Sequence, residues 1–298
     1  MSARNNNRPW LQVVGLPNKN KRTTAPPDAP DSFVGGTATT VFTAKRYQFP
    51  EMVVVQTASA NCHGALISTK AILTAASCFW TLETGLSTDE VMIGVGALSG
   101  TSVNASITVF NVTIHPQYRY YPLSGVHENN IAIILLQRNL VVDGRLVAPI
   151  NLTASSTAKP DSYLKIPDLR LAGWGQTQNN ANVSDPLNID SLLFATVYMA
   201  PQKSCAAAYA SLNSSKVYLL SDTMICTNVT TSLASTCKGD TGAPLRYINS
   251  AGAFPYTVMV GIATEPIETR CPTSLPSLYT NIAPFIKWIA SVTGLSLK

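Results

Sequence analysis

The stretch Cys237-Lys238-Gly239-Asp240-Thr241-Gly242-Ala243-Pro244-Leu245 presents a hydroxyl, on Thr241, among glycines and beside a carboxylate. For that hydroxyl to act as a nucleophile near neutral pH a neighbouring imidazole must take its proton, and the imidazole needs a buried carboxylate to fix its tautomer and stabilise its cation. Threonine also serves as a nucleophile where a free N-terminal amine is its base. Thr241 is internal to the chain, and its β-branch restricts χ1. Base chemistry would therefore fall to one of three histidines, His63, His115 or His127. His127 lies beside Glu128 and is expected to be solvated. The six cysteines include no C-x-x-C pair, and no two histidines stand at ligand spacing, so neither a zinc site nor another cofactor is expected.

The same stretch resembles the nucleophile loop of the trypsin/chymotrypsin-like serine proteases, with threonine in place of serine. Upstream, Leu73-Thr74-Ala75-Ala76-Ser77-Cys78 resembles the segment that carries the general-base histidine, and Ser77 stands at its position. Asn129-Asn130-Ile131-Ala132-Ile133 resembles the segment that carries the orienting aspartate, matched here by Asn130. Other motifs follow in the family's order from Phe33 to about Ile289. Phe33-Val34-Gly35-Gly36 resembles the mature N-terminus, Ala172-Gly173-Trp174-Gly175-Gln176-Thr177 the strand that opens the second barrel, and Asp222-Thr223-Met224-Ile225-Cys226 the segment before the specificity loop. Pro276-Ser277-Leu278-Tyr279-Thr280-Asn281-Ile282 and Phe285-Ile286-Lys287-Trp288-Ile289 resemble the last strand and the terminal helix.

The resemblance implies a triad with no intact member: Ser77, Asn130 and Thr241 replace histidine, aspartate and serine. A serine hydroxyl cannot accept a proton at pH 7 and return it to a leaving amine, so an acid/base contribution of roughly 10²–10⁴ is lost. Of the histidines, His63 falls at a position that is usually small in the family and His115 in a common surface loop, so neither is expected to supply a substitute base for Thr241. The resemblance also implies the disulfides Cys62–Cys78, Cys205–Cys226 and Cys237–Cys271, among fifteen pairings that the sequence leaves open. Gly239 and Asp240 are implied for the oxyanion loop. Ser235, Thr264, Glu265 and Pro266 are implied for the specificity pocket, where Ser235 offers no acidic anchor for lysine or arginine, and Pro266 lacks the N–H that would pair with an extended peptide. Ser32 precedes Phe33, so activation by a trypsin-like cut is not expected, and Asp240 loses the amine that it would pair with.

Composition fits a large exported domain. The 298 residues are 46% apolar and 12% charged, without a run of eighteen apolar residues, so no membrane span is expected. Residues 1–32 are polar and proline-rich and read as a disordered leader or pro-segment, ahead of a protease-like domain over 33–298. Five basic residues against two acidic give this leader +3 of the chain's +5, which argues against a nucleic-acid groove. Even cysteine usage points to an oxidising compartment and secretion. Trp10-Leu11-Gln12-Val13-Val14-Gly15-Leu16 is a poor signal core, broken by glutamine and glycine, and a signal missing from this sequence is expected instead. Six N-x-[ST] acceptors, at Asn104, Asn111, Asn151, Asn182, Asn213 and Asn228, permit a glycoprotein.

The positioning elements read as strands. Met52 to Val55, Ala71 to Leu73, Val91 to Val95, Ile107 to Val112 and Ile131 to Leu136 are short and rich in β-branched residues; Leu169 to Gly173, Leu192 to Met199 and Val258 to Ala263 continue the pattern. One amphipathic helix is expected, at the C-terminal end. The pattern suggests an all-β barrel or sandwich. The resemblance implies two six-stranded antiparallel barrels with the former active cleft between them and a C-terminal helix. Its further implication is a secreted, inactive serine-protease homologue, a pseudo-protease working as a monomer by binding an extracellular protein such as a host hydrolase or a protease-cascade component. The chain resembles the glucanase inhibitor proteins secreted by plant pathogens in its altered triad and lack of added modules. An active serine endopeptidase with a non-standard triad is the alternative.

Overall fold

Runs such as Met52–Gln56 and Ala132–Leu136 are buried at nearly every position rather than at alternate ones. Such runs belong to strands covered on both faces. The computed structural model describes residues 41–82, 88–97, 107–122, 124–153, 157–175, 191–210, 220–251, 255–267 and 273–297. The leader over 1–32, Phe33 to Gly36, Cys271 and the sequons at Asn104, Asn182 and Asn213 lie outside the described residues.

The strands are β1 (Val41–Thr43), β2 (Met52–Gln56), β3 (Asn61–Leu66), β4 (Ala71–Thr74), β5 (Met92–Val95), β6 (Val109–Ile114), β7 (Arg119–Tyr121), β8 (Val126–Glu128), β9 (Ala132–Leu136), β10 (Asn151–Leu152), β11 (Leu169–Gly173), β12 (Leu193–Val197), β13 (Met224–Thr227), β14 (Pro244–Asn249), β15 (Tyr256–Ala263) and β16 (Ser277–Asn281). One antiparallel sheet of six strands runs β5-β2-β3-β4-β9-β6. The other runs β1-β12-β11-β14-β15-β16-β13, with β10 added in parallel beside β15. Both sheets curl as half-barrels. The second therefore has eight strands rather than six, because β1 crosses to pair with β12, Val41 opposite Ala195, and β10 joins from the connection between the halves. Strands β7 and β8 form a separate hairpin.

Each sheet closes on its own apolar core. Val53, Ile72, Ile93, Ile133 and Leu136 fill the first, sealed by Ile262 of β15 and by Phe285 and Ile289 from the C-terminal end. Leu169, Leu171, Ile225, Leu245 and Val260 fill the second. The terminal helix, α3 (Ile286–Thr293) once α1 (Gln202–Ala210) and α2 (Val229–Ser232) are counted, ends at Gly294 with φ 71°, whose N–H returns to the Ala290 carbonyl at 2.8 Å. Helix α1 departs from the expectation of a single helix. Its buried stripe is only Cys205 and Tyr209, too narrow for a helical period to register, and it is held by the Cys205–Cys226 disulfide and by Asp161 Oδ1, which accepts the Gln202 N–H at 2.9 Å.

A buried ion pair joins the two halves. Arg246 on β14 places Nε 3.0 Å from Glu51 Oε1, a contact not aligned as a hydrogen bond, while its Nη2 donates to the Gln48 carbonyl at 2.8 Å and its guanidinium lies 3.9 Å from the Phe49 ring centroid. Burial raises the Glu51 pKa against the lowering effect of Arg246. No helix among the described residues is long and apolar enough to cross a membrane.

Candidate active site

Ser77 enters the site on the turn of 3-10 helix that follows β4, and its neighbour Cys78 is tied to Cys62 on β3 by a disulfide. Asn130 sits just ahead of β9 and is fully buried. The two side chains meet. Asn130 Oδ1 accepts the Ser77 backbone N–H at 2.8 Å, and Asn130 Nδ2 donates to Ser77 Oγ at 3.1 Å. The Asn130 carbonyl in turn accepts the Thr280 hydroxyl, at 2.9 Å, from β16 of the other sheet. A neutral carboxamide and a neutral hydroxyl thus occupy the positions implied for an acid and a base. Neither has a pKa that allows proton exchange at pH 7.

Thr241 is buried ahead of β14, in a loop whose turns demand glycine. Gly239 has φ 96° and Gly242 φ 88°. A Cβ on Gly242 would fall 2.0 Å from the His63 carbonyl oxygen, so the loop packs directly on β3. The Thr241 carbonyl accepts the His63 backbone N–H at 2.8 Å.

His63 therefore lies next to Thr241, closer than expected for a residue implied to stay apart, but its chemistry is spent elsewhere. The imidazole is wholly buried and stacked on Trp174, with centroids 5.2 Å apart and planes 8° apart. Its Nε2 accepts the Trp174 backbone N–H at 3.0 Å. The one lone pair of a neutral imidazole is thereby occupied, which assigns the proton to Nδ1. That Nδ1–H is buried without a hydrogen-bond partner among the described residues. Desolvation drives the His63 pKa down to about 4. With its lone pair held by the Trp174 amide, the imidazole cannot take a proton from Thr241.

The other two histidines contradict their expected solvation. His115 is buried, edge-on to Phe285 and to Trp288 with ring centroids 4.9 Å away in each case. It seals the first core under α3, an apolar role that a surface-loop resemblance hides. His127 is sandwiched in the β7–β8 hairpin, stacked on Tyr120 at 4.6 Å, with Tyr118 Oη 2.8 Å from its Nδ1. Burial lowers its pKa to about 4.

The Asp240 carboxylate packs against Gly173 and Gly175 at the end of β11 in the second sheet. Gly175 N–H donates to its Oδ1 at 2.9 Å and Cys237 N–H to its Oδ2 at 2.8 Å; among the described residues these amides are its hydrogen-bond partners. Desolvation raises its pKa to about 6 despite both bonds. Glycine is required at 173 and 175, because a Cβ at either would lie 2.2 or 2.3 Å from Asp240 Oδ1. Cys237 is disulfide-bonded; its implied partner, Cys271, falls outside the described residues.

Among the described residues, part of the implied specificity set lines a small cavity. Glu265, Pro266, Tyr209, Thr236, Thr273 and Leu275 are among the residues around a cavity of about 10 Å³, scarcely room for one water. Ser235 is not in that lining; its hydroxyl accepts the Thr273 N–H at 2.9 Å. Thr264 is buried with its hydroxyl on the Leu278 carbonyl at 3.0 Å. Among the described residues no group of three His, Cys, Asp or Glu side chains is placed to hold a metal ion.

Two features had no signal in the sequence, the His63–Trp174 stack and the Glu51–Arg246 pair. Each joins residues more than a hundred positions apart.

Comparison with known proteins gives this geometry a setting. The trypsin family model matches residues 39–289. Serine protease grass of Drosophila melanogaster is 29% identical over 241 residues, which cover 76% of this chain and 59% of that protein, so the chain spans well under two thirds of its length. CLIP domain-containing serine protease B4 of Anopheles gambiae is 24% identical over 293 residues, 91% of this chain and 75% of the relative. Among solved structures, the scabies mite inactivated protease paralogue S-D1 superposes with a TM-score of 0.66 at 21% identity, covering 86% of this chain and 97% of that one.

Proposed function

The chain belongs to the trypsin family, and on that premise we propose that it is a pseudo-protease, exported from the cell, that acts by binding another protein rather than by cleaving one. The observation that carries this reading is the Ser77–Asn130 pair, two neutral side chains bonded to each other where proton transfer would have to occur. His63 does not repair the defect, because its lone pair is held by the Trp174 amide. Loss of the base and of its orienting carboxylate each removes orders of magnitude in rate, and the two losses overlap rather than multiply. The small cavity beside Glu265 and Pro266 fits the same reading.

An extracellular protein is the partner class proposed, a hydrolase of a host or a component of a protease cascade. Rigid half-barrels carrying variable loops suit such binding. The mite paralogue, an inactivated protease, offers a precedent for this fold outlasting catalysis. The resemblance to glucanase inhibitors names one such occupation.

The test is a fluorophosphonate probe and a panel of peptide substrates applied to the oxidised protein, with trypsin alongside. No labelling at Thr241 and no turnover above buffer are expected, together with capture of a specific protein from the native extracellular fluid. Covalent labelling of Thr241 with turnover would overturn the reading in favour of an active endopeptidase.

A further inference from the structure

The three sequons among the described residues differ in what their carboxamides do. Asn228 caps α2, its Oδ1 accepting the Thr230 and Thr231 N–H groups at 2.9 and 3.2 Å. Asn151 donates Nδ2 to the Thr257 carbonyl at 3.3 Å, and the threonine of its sequon, Thr153, is buried. Asn111 is different. It lies on β6, the edge strand of the first sheet, where ordinary alternation after the buried Val109 would turn it inward. The register slips there: Val109 faces Leu136 and Asn111 faces the adjacent Leu135, which leaves Phe110 as the extra residue of a bulge. Both Phe110 and Asn111 are consequently exposed, and Phe110 shows 65% of its surface to solvent. Among the described residues the Asn111 amide is engaged within its own sequon, Nδ2 donating to Thr113 Oγ1 at 3.2 Å.

We propose that Asn111 is an N-glycan acceptor and that the exposed Phe110 ring is the surface on which the first N-acetylglucosamine lies. The proposal rests on the reading that the chain is exported, because the sugar donor is met in the secretory pathway. In the transfer, Asn111 Nδ2 attacks the anomeric carbon of an oligosaccharide linked to a lipid pyrophosphate. The C1–N bond forms and the C1–O bond breaks, with its electron pair leaving on the pyrophosphate. One amide proton passes to the transferase's base. The product carboxamide stays neutral, so the exposed edge tolerates it without a desolvation cost, and the sugar's C–H face covers apolar surface that is otherwise left in water. A bulky polar group on β6 also obstructs pairing of this edge strand with another strand.

The test secretes the full chain from a eukaryotic host behind an added signal peptide and maps its peptides after glycosidase release in ¹⁸O water. The peptide carrying Asn111 is expected to be modified in the parent and in Thr113→Ser, and unmodified in Thr113→Ala and Asn111→Gln. Trimming to a single N-acetylglucosamine should leave the thermal midpoint above that of the fully deglycosylated protein, a shift that Phe110→Ala abolishes. An unmodified Asn111 in protein recovered from the medium overturns the proposal, and an equal shift in Phe110→Ala overturns the role of the ring. Since the added signal supplies export, neither result bears on native secretion, which is tested by whether the natural chain occurs in extracellular fluid.

Discussion

The backbone N–H of Trp174 donates to His63 Nε2 at 3.0 Å while its indole stacks on the same imidazole, so one residue fixes both the tautomer and the plane of the histidine nearest Thr241. The next amide in the chain, Gly175 N–H, donates to Asp240 Oδ1 at 2.9 Å. Two adjacent peptide groups thus hold two buried titratable side chains whose pKa values move in opposite directions.

That opposition predicts a pH signature. The folded His63 pKa of about 4 lies below its ordinary 6.5, so the unfolded chain binds the proton more readily and stability rises with pH between those values. The folded Asp240 pKa of about 6 lies above its ordinary 3.8, so the folded chain holds the proton longer and stability is lost as pH rises through that window. In the parent the two offset each other. Asp240→Asn lowers stability overall, since its amide meets two N–H donors, but should steepen the rise between pH 4 and 6.5 by on the order of 3 kcal/mol. Urea denaturation at several pH values reads this slope; equal slopes in parent and variant would mean that Asp240 titrates as an ordinary carboxylate.

The Glu51–Arg246 pair should be costly to break and cheap to replace. Glu51→Ala strands a buried guanidinium and should cost about 3–5 kcal/mol in urea unfolding, whereas Glu51→Leu with Arg246→Met should recover most of that loss. If the double variant is no more stable than the single one, the pair does more than neutralise itself.

Asn130 is expected to matter for stability in place of catalysis. Its side chain satisfies both the Ser77 N–H and the Ser77 hydroxyl inside the fold, so Asn130→Ala should destabilise by about 1–3 kcal/mol. A double-mutant cycle with Ser77→Ala should show coupling of about 0.5–3 kcal/mol; additive losses would mean that the two bonds contribute little.

Restoring the triad by Ser77→His, Asn130→Asp and Thr241→Ser should not restore proteolysis. Orientation is expected still to fail in the triple variant, because Pro266 has no N–H for an extended substrate and the cavity beside it, among the described residues, is only about 10 Å³. Peptide hydrolysis well above the parent by the triple variant would show a competent cleft and a recently silenced enzyme.

The sequence by itself determined the family, the all-β class and many of the strands, and through the resemblance it singled out Ser77, Asn130 and Thr241. Those features are local, carried by β-branched runs such as Ala132–Leu136 and by short motifs around Ser77, Asn130 and Thr241. It did not determine how the Ser77 and Asn130 side chains meet. Ser77 and Asn130 are 53 positions apart, and only the packing of the turn after β4 against the approach to β9 brings carboxamide to hydroxyl. The environments of His115 and His127 are illegible in the sequence for the same reason, because burial belongs to the surroundings that Phe285, Trp288 and Tyr120 create. The exposure of Asn111 depends on a one-residue slip in pairing, which no composition encodes: a strand's alternation fixes which residues share a face, and the register with its neighbour decides which face meets water.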